Sequence, residues 1–172
     1  MMLAVAPLTA DAFAPFGDVL STDGARHFTI NEGSAERFDD LARVDLGGGD
    51  VRISIFVAKP RPAPIVIRML EHHPLGTQAF MPLQRRDYLV VVAPPGDDLA
   101  PDAVRAFRAS GLQGVNYHRG VWHHPLLVLE ADSRFLVVDR DGRPGNLVER
   151  TLDLPLTIAD EPGPGPLVIG PV

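Results

Sequence analysis

Apolar and polar residues alternate in short runs along most of the chain, the periodicity of β-strands whose two faces meet different surroundings. The clearest run is VRISIFVA, residues 51–58, in which β-branched and aromatic residues alternate with polar ones. Turn sequences rich in Pro and Gly separate the runs. This pattern predicts strands at residues 18–21, 27–31, 51–58, 65–70, 78–81, 87–93, 103–108, 114–117, 126–130 and 134–139.

Helical signals are short and few. Thr9 is placed to cap a helix over residues 10–14, and the polar residues 35–41 predict one helical turn. Many short strands without a long helix predict an all-β fold, an antiparallel β-barrel or sandwich. We expect a single domain over residues 1–159, followed by a Pro/Gly-rich tail at residues 160–172.

Composition excludes several classes of function. The 172 residues contain no cysteine, so a metal would have to be held by His, carboxylate, amide oxygen or water. The net charge is −6 and the basic residues are scattered, which argues against nucleic acid and anionic membranes as partners. The first residues lack the pattern of a secretory signal, so we expect a cytoplasmic protein that acts on a small molecule.

Five of the six histidines fall into two short segments, RMLEHHPLGTQAF (residues 68–80) and NYHRGVWHHPL (residues 116–126). On a strand, Glu71 and His73 point to one face and His72 to the other. Gln78 follows across a turn that could bring it back beside them. A partner histidine, His123 or His124, would have to come from the second segment.

These two segments resemble the paired motifs of the cupin family. Glu71-x-His73-x4-Gln78 has the spacing of the first motif, and His118-x-Gly120-x-x-His123 has that of the second. Glu71 stands where cupins usually have histidine, and Gln78 where they usually have glutamate. The resemblance implies a cupin-like antiparallel barrel, or double-stranded β-helix, with a few short helices. Its metal ligands would be Glu71, His73, Gln78 and His123, holding one Ni²⁺, Mn²⁺, Fe²⁺ or Zn²⁺ ion.

Longer strings are similar to one family in particular. EHHPLGTQAFMPL (residues 71–83) and GVNYHRGVWHHPLLVL (residues 114–129) resemble the ureidoglycolate lyases, as do PLTADAFAPFGDVL, DYLVVVAPP and FLVVDRDG more weakly. This resemblance implies a homodimeric enzyme of allantoin and purine catabolism that cleaves (S)-ureidoglycolate into glyoxylate and urea.

That reaction requires groups that move protons and groups that bind a carboxylate and a urea. Histidine suits the proton steps, because its unperturbed pKa is about 6.5. The catalytic candidates are His73, His118, His123 and His124. The candidates for substrate binding are Arg68 or Lys59 for the carboxylate, Gln78 and Asn116 for the urea end, and Tyr117 and Trp122 for the pocket wall.

Three alternatives remain open at this point. The site could bind substrate directly with no metal, because an amide oxygen is a weaker ligand than a carboxylate. The protein could be a metal cupin of other chemistry, an isomerase or a dioxygenase. It could also be a cupin that binds a small ligand without catalysis.

Overall fold

The computed structural model describes residues 1–141 and 144–159. These residues form one short helix, α1 (Ala10–Phe13), two single 3-10 turns (Asn31–Gly33 and Pro101–Ala103) and fifteen strands. The strands are β1 (Met2–Leu3), β2 (Val5–Pro7), β3 (Gly17–Leu20), β4 (His27–Ile30), β5 (Ala35–Phe38), β6 (Val51–Ala58), β7 (Val66–His72), β8 (Gln78–Pro82), β9 (Tyr88–Ala93), β10 (Arg105–Ala109), β11 (Gly114–Tyr117), β12 (Trp122–His123), β13 (Leu127–Val128), β14 (Ser133–Arg140) and β15 (Val148–Ile158).

Two facing sheets build an almost closed barrel. The first sheet has the order β1-β15-β7-β12-β9-β10-β2, with β13 paired to β9. The second has the order β3-β11-β8-β14-β6, and β4 and β5 form a separate hairpin. Most pairs are antiparallel; β1 with β15 and β2 with β10 are parallel. The prediction of an all-β fold, a barrel of mainly antiparallel strands, is confirmed.

Two apolar clusters lie on opposite sides of the first sheet. The inner cluster fills the barrel with side chains from both sheets, among them Phe80, Val90 and Phe135. The outer cluster, with Ile67, Leu89 and Leu156, covers the other face. All six residues of β9 are therefore buried, which explains the unbroken apolar run of that strand. Burial on both faces places β9 between the two apolar clusters.

The structure corrects two expectations about local structure. The predicted helical turn at residues 35–41 is instead strand β5, whose residues pair with β4 from Ile30↔Ala35 to His27↔Phe38. Strand β15 was missed because its pattern is irregular: it contains Pro155, and its pairing with β7 shifts between Thr151 and Leu156. By contrast, the helix begins as predicted, with Thr9 Oγ1 accepting from the Ala12 N–H at 3.3 Å.

The Pro/Gly-rich tail predicted at residues 160–172 lies outside the described residues. In the part of the chain that the structure describes, no helix is long and apolar enough to cross a membrane.

Candidate functional site

The two histidine-bearing segments lie side by side in the first sheet. Strand β12 pairs with β7 so that His123 stands opposite Glu71, and β9 flanks β12 on its other edge. Gly120 lets the chain turn into β12, because its φ of 75° favours glycine. Its N–H donates to the His73 carbonyl at 3.0 Å, which ties this turn to the end of β7. Two segments that are far apart in the sequence thus become neighbours.

Strand alternation sorts the histidines between the two sides of the sheet. His123 points into the barrel, where its ring stacks on Tyr117 with centroids 4.2 Å apart, and it lies 5.2 Å from the His73 ring. His72 instead packs on the Trp122 indole, with centroids 4.2 Å apart. Trp122 belongs to the outer cluster. His73 and His123 therefore share the inner side, whereas His72 and Trp122 do not.

Three side chains of metal-ligand type converge on this inner side. One donor atom from each of Glu71, His73 and His123 lies within 4.8 Å of the others, and His123 Nε2 is 3.6 Å from Glu71 Oε1. Burial raises the pKa of the Glu71 carboxyl; the charge of His73 opposes that rise and Glu149 adds to it. A cation at this point would offset the burial of the carboxylate.

The hydrogen bonds of both histidines fix which nitrogen faces the site. His73 Nδ1 lies 2.6 Å from the Asn146 carbonyl, and His123 Nδ1 lies 3.0 Å from the Val121 carbonyl. A carbonyl only accepts, so in each ring Nδ1 carries the proton and Nε2 of the neutral ring presents a lone pair. Burial, with the neighbouring His73, lowers the pKa of His123 to about 3, so this ring is neutral at physiological pH.

A fourth donor comes from Gln78 on β8. Its Nε2 donates to Asp139 Oδ2 at 3.1 Å, and its Oε1 is buried. Within the described residues, Gln78 Oε1 and the Nε2 atoms of His73 and His123 have no hydrogen-bond partner. An unsatisfied buried polar atom costs about 1–3 kcal/mol. Three such atoms beside a carboxylate fit the coordination of a divalent cation by nitrogen and oxygen ligands.

A cavity of about 300 Å³ opens beside these donors, inside the barrel. Its wall is mainly aromatic and aliphatic, with polar groups on one side, a composition typical of small-molecule sites. Within the described part of the chain, its lining includes no Lys or Arg. The lining residues are Phe56, Val57, Ala58, Glu71, Gln78, Phe80, Tyr88, Tyr117, His123, His124, Pro125 and Leu126.

Two lining residues can exchange or donate protons. His124 Nδ1 lies 2.7 Å from the Pro125 carbonyl, which leaves Nε2 as the accepting nitrogen. Burial lowers the pKa of His124 to about 4; the hydrogen bond to Pro125 opposes this and the charge of Arg61 adds to it. Burial and the nearby Glu71 raise the pKa of the Tyr117 hydroxyl, so Tyr117 stays a protonated phenol and a hydrogen-bond donor.

Several predicted site residues do not reach the cavity. Arg68 and Lys59 are exposed and absent from its wall. Asn116 follows strand alternation to the side opposite Tyr117, where its Nδ2 donates to Asp18 at 2.9 Å and to the Arg43 carbonyl.

Two aromatic candidates also lie elsewhere. His118 is half-exposed, with Nε2 3.3 Å from the Asp18 carboxylate, in a surface depression that it shares with Arg119. The Trp122 indole donates to the Gly96 carbonyl at 2.9 Å on the outer side of the sheet. The spacing of the second motif places His123 inside the barrel but leaves His118 outside.

Two residues near the site were missed from the sequence. Arg61 comes three residues after the cavity-lining Ala58, and its charge acts on His124. It stands in a proline-rich connection with no periodicity to reveal it. Asp139 stands opposite Gln78 in the β8–β14 pairing. Phe135 and Val137 are buried and lie four and two residues before Asp139, on the same face of β14. Strand alternation alone could therefore have predicted that Asp139 points inward.

Fold and site together define a class: a β-barrel with a carboxylate and two imidazoles converging beside an interior cavity. Residues 1–159 match the family model of ureidoglycolate lyase, and the chain belongs to that family. It is 56% identical over 149 residues to a ureidoglycolate lyase of Stutzerimonas stutzeri, covering 86% of this chain and 88% of that one. A ureidoglycolate lyase of Pseudomonas syringae pv. tomato is 52% identical over 164 residues, with 94% and 96% covered.

Solved structures give only weak likenesses. A Bacillus subtilis oxalate decarboxylase, described with Mn(II) centres, aligns with a TM-score of 0.40 and 13% identity, covering 59% of this chain and 24% of that one. A dTDP sugar isomerase from Desulfovibrio desulfuricans aligns with a TM-score of 0.42 and 18% identity, covering 80% and 83%.

Proposed function

We propose that this protein is a ureidoglycolate lyase that cleaves (S)-ureidoglycolate into glyoxylate and urea. The observation that carries the proposal is the family match over residues 1–159, which contains every residue of the Glu71, His73 and His123 group and of its cavity. A cavity of about 300 Å³ suits a small polar substrate rather than a polymer.

The reaction needs one proton to move between two atoms of the substrate. One carbon of ureidoglycolate carries a hydroxyl, a carboxylate and a urea nitrogen. Loss of the hydroxyl proton lets that oxygen form the aldehyde carbonyl while the carbon–nitrogen bond breaks. The bond's electron pair remains on nitrogen, which takes up a proton and leaves as urea.

His124 is the proton carrier that this geometry favours. Its ring lines the cavity, and its Nε2 is the nitrogen left to accept a proton. Because burial holds its pKa at about 4, the protonated ring readily gives the proton on to the departing nitrogen. The Tyr117 hydroxyl serves as a neutral hydrogen-bond donor to the substrate.

A divalent cation, Ni²⁺, Mn²⁺, Fe²⁺ or Zn²⁺, would be held by Glu71, His73, Gln78 and His123. When bound, it supplies Lewis acidity that makes a neighbouring hydroxyl easier to deprotonate. The carbonyl partners of the two histidines hold the Nδ1–H groups and so turn each Nε2 toward the site. Buried wall residues such as Phe80 and Tyr88 limit the access of bulk water to these groups.

Arg61 binds the substrate carboxylate in this account, in place of Arg68 or Lys59. The cavity already holds the Glu71 carboxylate, so a second carboxylate needs a compensating positive charge. Arg61, like Arg68 and Lys59, is exposed and outside the cavity lining, but the charge of Arg61 acts on the cavity-lining His124. Arg61 follows the wall strand β6 and makes no hydrogen bond or ion pair to a described residue. Its guanidinium can hold a carboxylate through two parallel hydrogen bonds.

The experiment is turnover by purified protein. Ureidoglycolate should yield glyoxylate without oxygen consumption, and a chelator should abolish the rate until one of the four metals is restored. Oxygen uptake would favour a dioxygenase, and stoichiometric binding without product would favour a non-catalytic cupin. Full activity after complete metal removal would contradict the cation while leaving the substrate assignment in place.

The protein forms a homodimer in this proposal, through the outer face of the second sheet. Edge strand β6 exposes Val51, Ile53, Ile55 and Val57, each more than half exposed. All four alternate on one side of the strand, opposite Phe56 and Ala58, and Val57 also borders the cavity. A contiguous apolar face on an edge strand promotes aggregation unless another chain covers it. A two-fold pairing of β6 with the β6 strand of a second copy would cover this face.

Light scattering tests the dimer. The wild type should have twice the chain mass at micromolar concentration, and I53K/I55K should have the mass of one chain. L112K/L154K, which adds the same two charges at exposed leucines elsewhere, should remain dimeric. A monomeric wild type, or an unchanged mass for I53K/I55K, would refute this interface.

A further inference from the structure

Asp139 and Gln78 form a polar pair beside the cation site. They stand opposite each other on the neighbouring strands β14 and β8. Gln78 lines the cavity with Glu71 and His123, whereas Asp139 stands behind it and does not line the cavity. Gln78 Nε2 donates to Asp139 Oδ2 at 3.1 Å. Asp139 therefore touches the amide of a ligand candidate without reaching the cation position itself.

This hydrogen bond decides which end of the amide faces the cavity. An amide side chain can rotate by half a turn and exchange its oxygen with its nitrogen. An ionised carboxylate only accepts hydrogen bonds, so it holds the Nε2 end of Gln78. Oε1 must then point the other way, and it is buried without a partner among the described residues. Without Asp139, the NH₂ group could turn toward the cation position and repel the ion.

The pair also supplies charge that Gln78 lacks. A neutral amide oxygen is a weaker ligand than a carboxylate, and Gln78 stands where the resemblance to the cupins implies a glutamate. Asp139 restores one negative charge directly behind the amide and polarises its carbonyl toward the cavity. A Gln78–Asp139 pair thus carries the same formal charge as a glutamate with a neutral partner.

We propose that Asp139 is a positioning residue that makes Gln78 a ligand, by fixing the orientation of its amide and by placing a negative charge behind it. The inference rests on the proposed function, since it requires a cation at Glu71, His73 and His123. It predicts that the carboxylate and the amide can be exchanged between the two positions. In the double variant Q78E/D139N, β8 would again present one oxygen inward, and the pair would again carry one negative charge.

Calorimetric titration of the metal-free protein with Ni²⁺ tests the exchange. Asp139→Asn removes the charge and lets the Gln78 amide face either way, so the Kd should rise about 10–100-fold, as for other residues that orient metal ligands. Gln78→Glu alone sets two carboxylates against each other, which should lower the melting temperature of the metal-free protein at pH 8. The double variant Q78E/D139N should regain most of the lost affinity and stability, a non-additivity expected of contacting residues.

Asp153→Asn is the matched control, since Asp153 is exposed on β15 and does not line the cavity. It should leave the Kd for Ni²⁺ unchanged. Wild-type affinity in D139N, or a double variant as weak as D139N, would overturn the role of Asp139. Absence of Ni²⁺ binding by the wild type would overturn the cation site itself. This outcome is distinguishable from a failure of the Asp139 role, because it is measured on the wild type before any variant is compared.

Discussion

Acidification should destabilise this protein through its two buried histidines. In the unfolded chain a histidine has a pKa of about 6.5. In the folded protein burial lowers the pKa of His123 to about 3 and that of His124 to about 4. Both pKa values are depressed on folding, so the stability they contribute is present above pH 6.5. It is lost as pH falls toward 4, because only the unfolded chain then takes up the protons.

The magnitude follows from the width of that pH window. Each pH unit below 6.5 costs about 1.4 kcal/mol per histidine that is protonated only in the unfolded state. Between pH 6.5 and 5 the cost is therefore about 2 kcal/mol for each of His123 and His124, or about 4 kcal/mol together. That is a large part of the 5–15 kcal/mol that usually stabilises a domain.

Urea unfolding of the metal-free protein at pH 7 and pH 5 measures this loss. The variant H124Q removes one titrating group, so it should lose about 2 kcal/mol less than the wild type between the two pH values. H27Q alters an exposed histidine that stacks on Phe38, and it should lose as much as the wild type. Equal losses in H124Q and the wild type would refute the claim that His124 is buried in its neutral form.

Further predictions concern activity. H73A and H123A should lower kcat/KM at least about 100-fold, because each removes a group at the reacting centre. H72A should change kcat/KM only a few-fold, since that ring packs on the outer side of the sheet. Comparable losses for H72A and H73A would contradict this placement. R61Q should raise the KM for ureidoglycolate about 10–100-fold, the cost of losing a charged hydrogen bond. In R61Q the rate with N-(hydroxymethyl)urea, which lacks the carboxylate, should not change. R134Q, which removes the same charge at an exposed position of β14, should behave as the wild type. Equal effects of R61Q on both substrates would refute the role of Arg61.

Strand alternation was the most informative signal in the sequence. It separated His72 from Glu71 and His73, and the structure has this separation, because buried strands impose a strict two-residue period. The same rule could have removed Asn116 from the substrate-binding candidates, since Asn116 is adjacent to the inward Tyr117. Both residues belong to the string that resembles the ureidoglycolate lyases, and that resemblance alone made Asn116 a candidate.

Other features depend on contacts that local patterns do not encode. Residues 35–41 are polar enough to resemble a helical turn, yet pairing with β4 makes Ala35–Phe38 a strand. The bulge in β15 interrupts the two-residue alternation of that strand, so its sequence does not show a strand pattern. Arg61 acts on His124 across the fold, and Asp139 meets Gln78 through the register of β14 and β8. Such partners become visible only once strands are paired.

The ratio of nitrogen products tests the central claim most directly. If the carbon bearing the hydroxyl is the reacting centre, urea leaves whole and no water enters the products. Attack on the urea carbonyl would instead require an activated water, often on two bridged metals, whereas the described residues bring one Glu71, His73 and His123 group together. Purified protein free of urease should release one urea per glyoxylate and no ammonia. Two ammonia per glyoxylate, with no urea at any time, would contradict the lyase reaction.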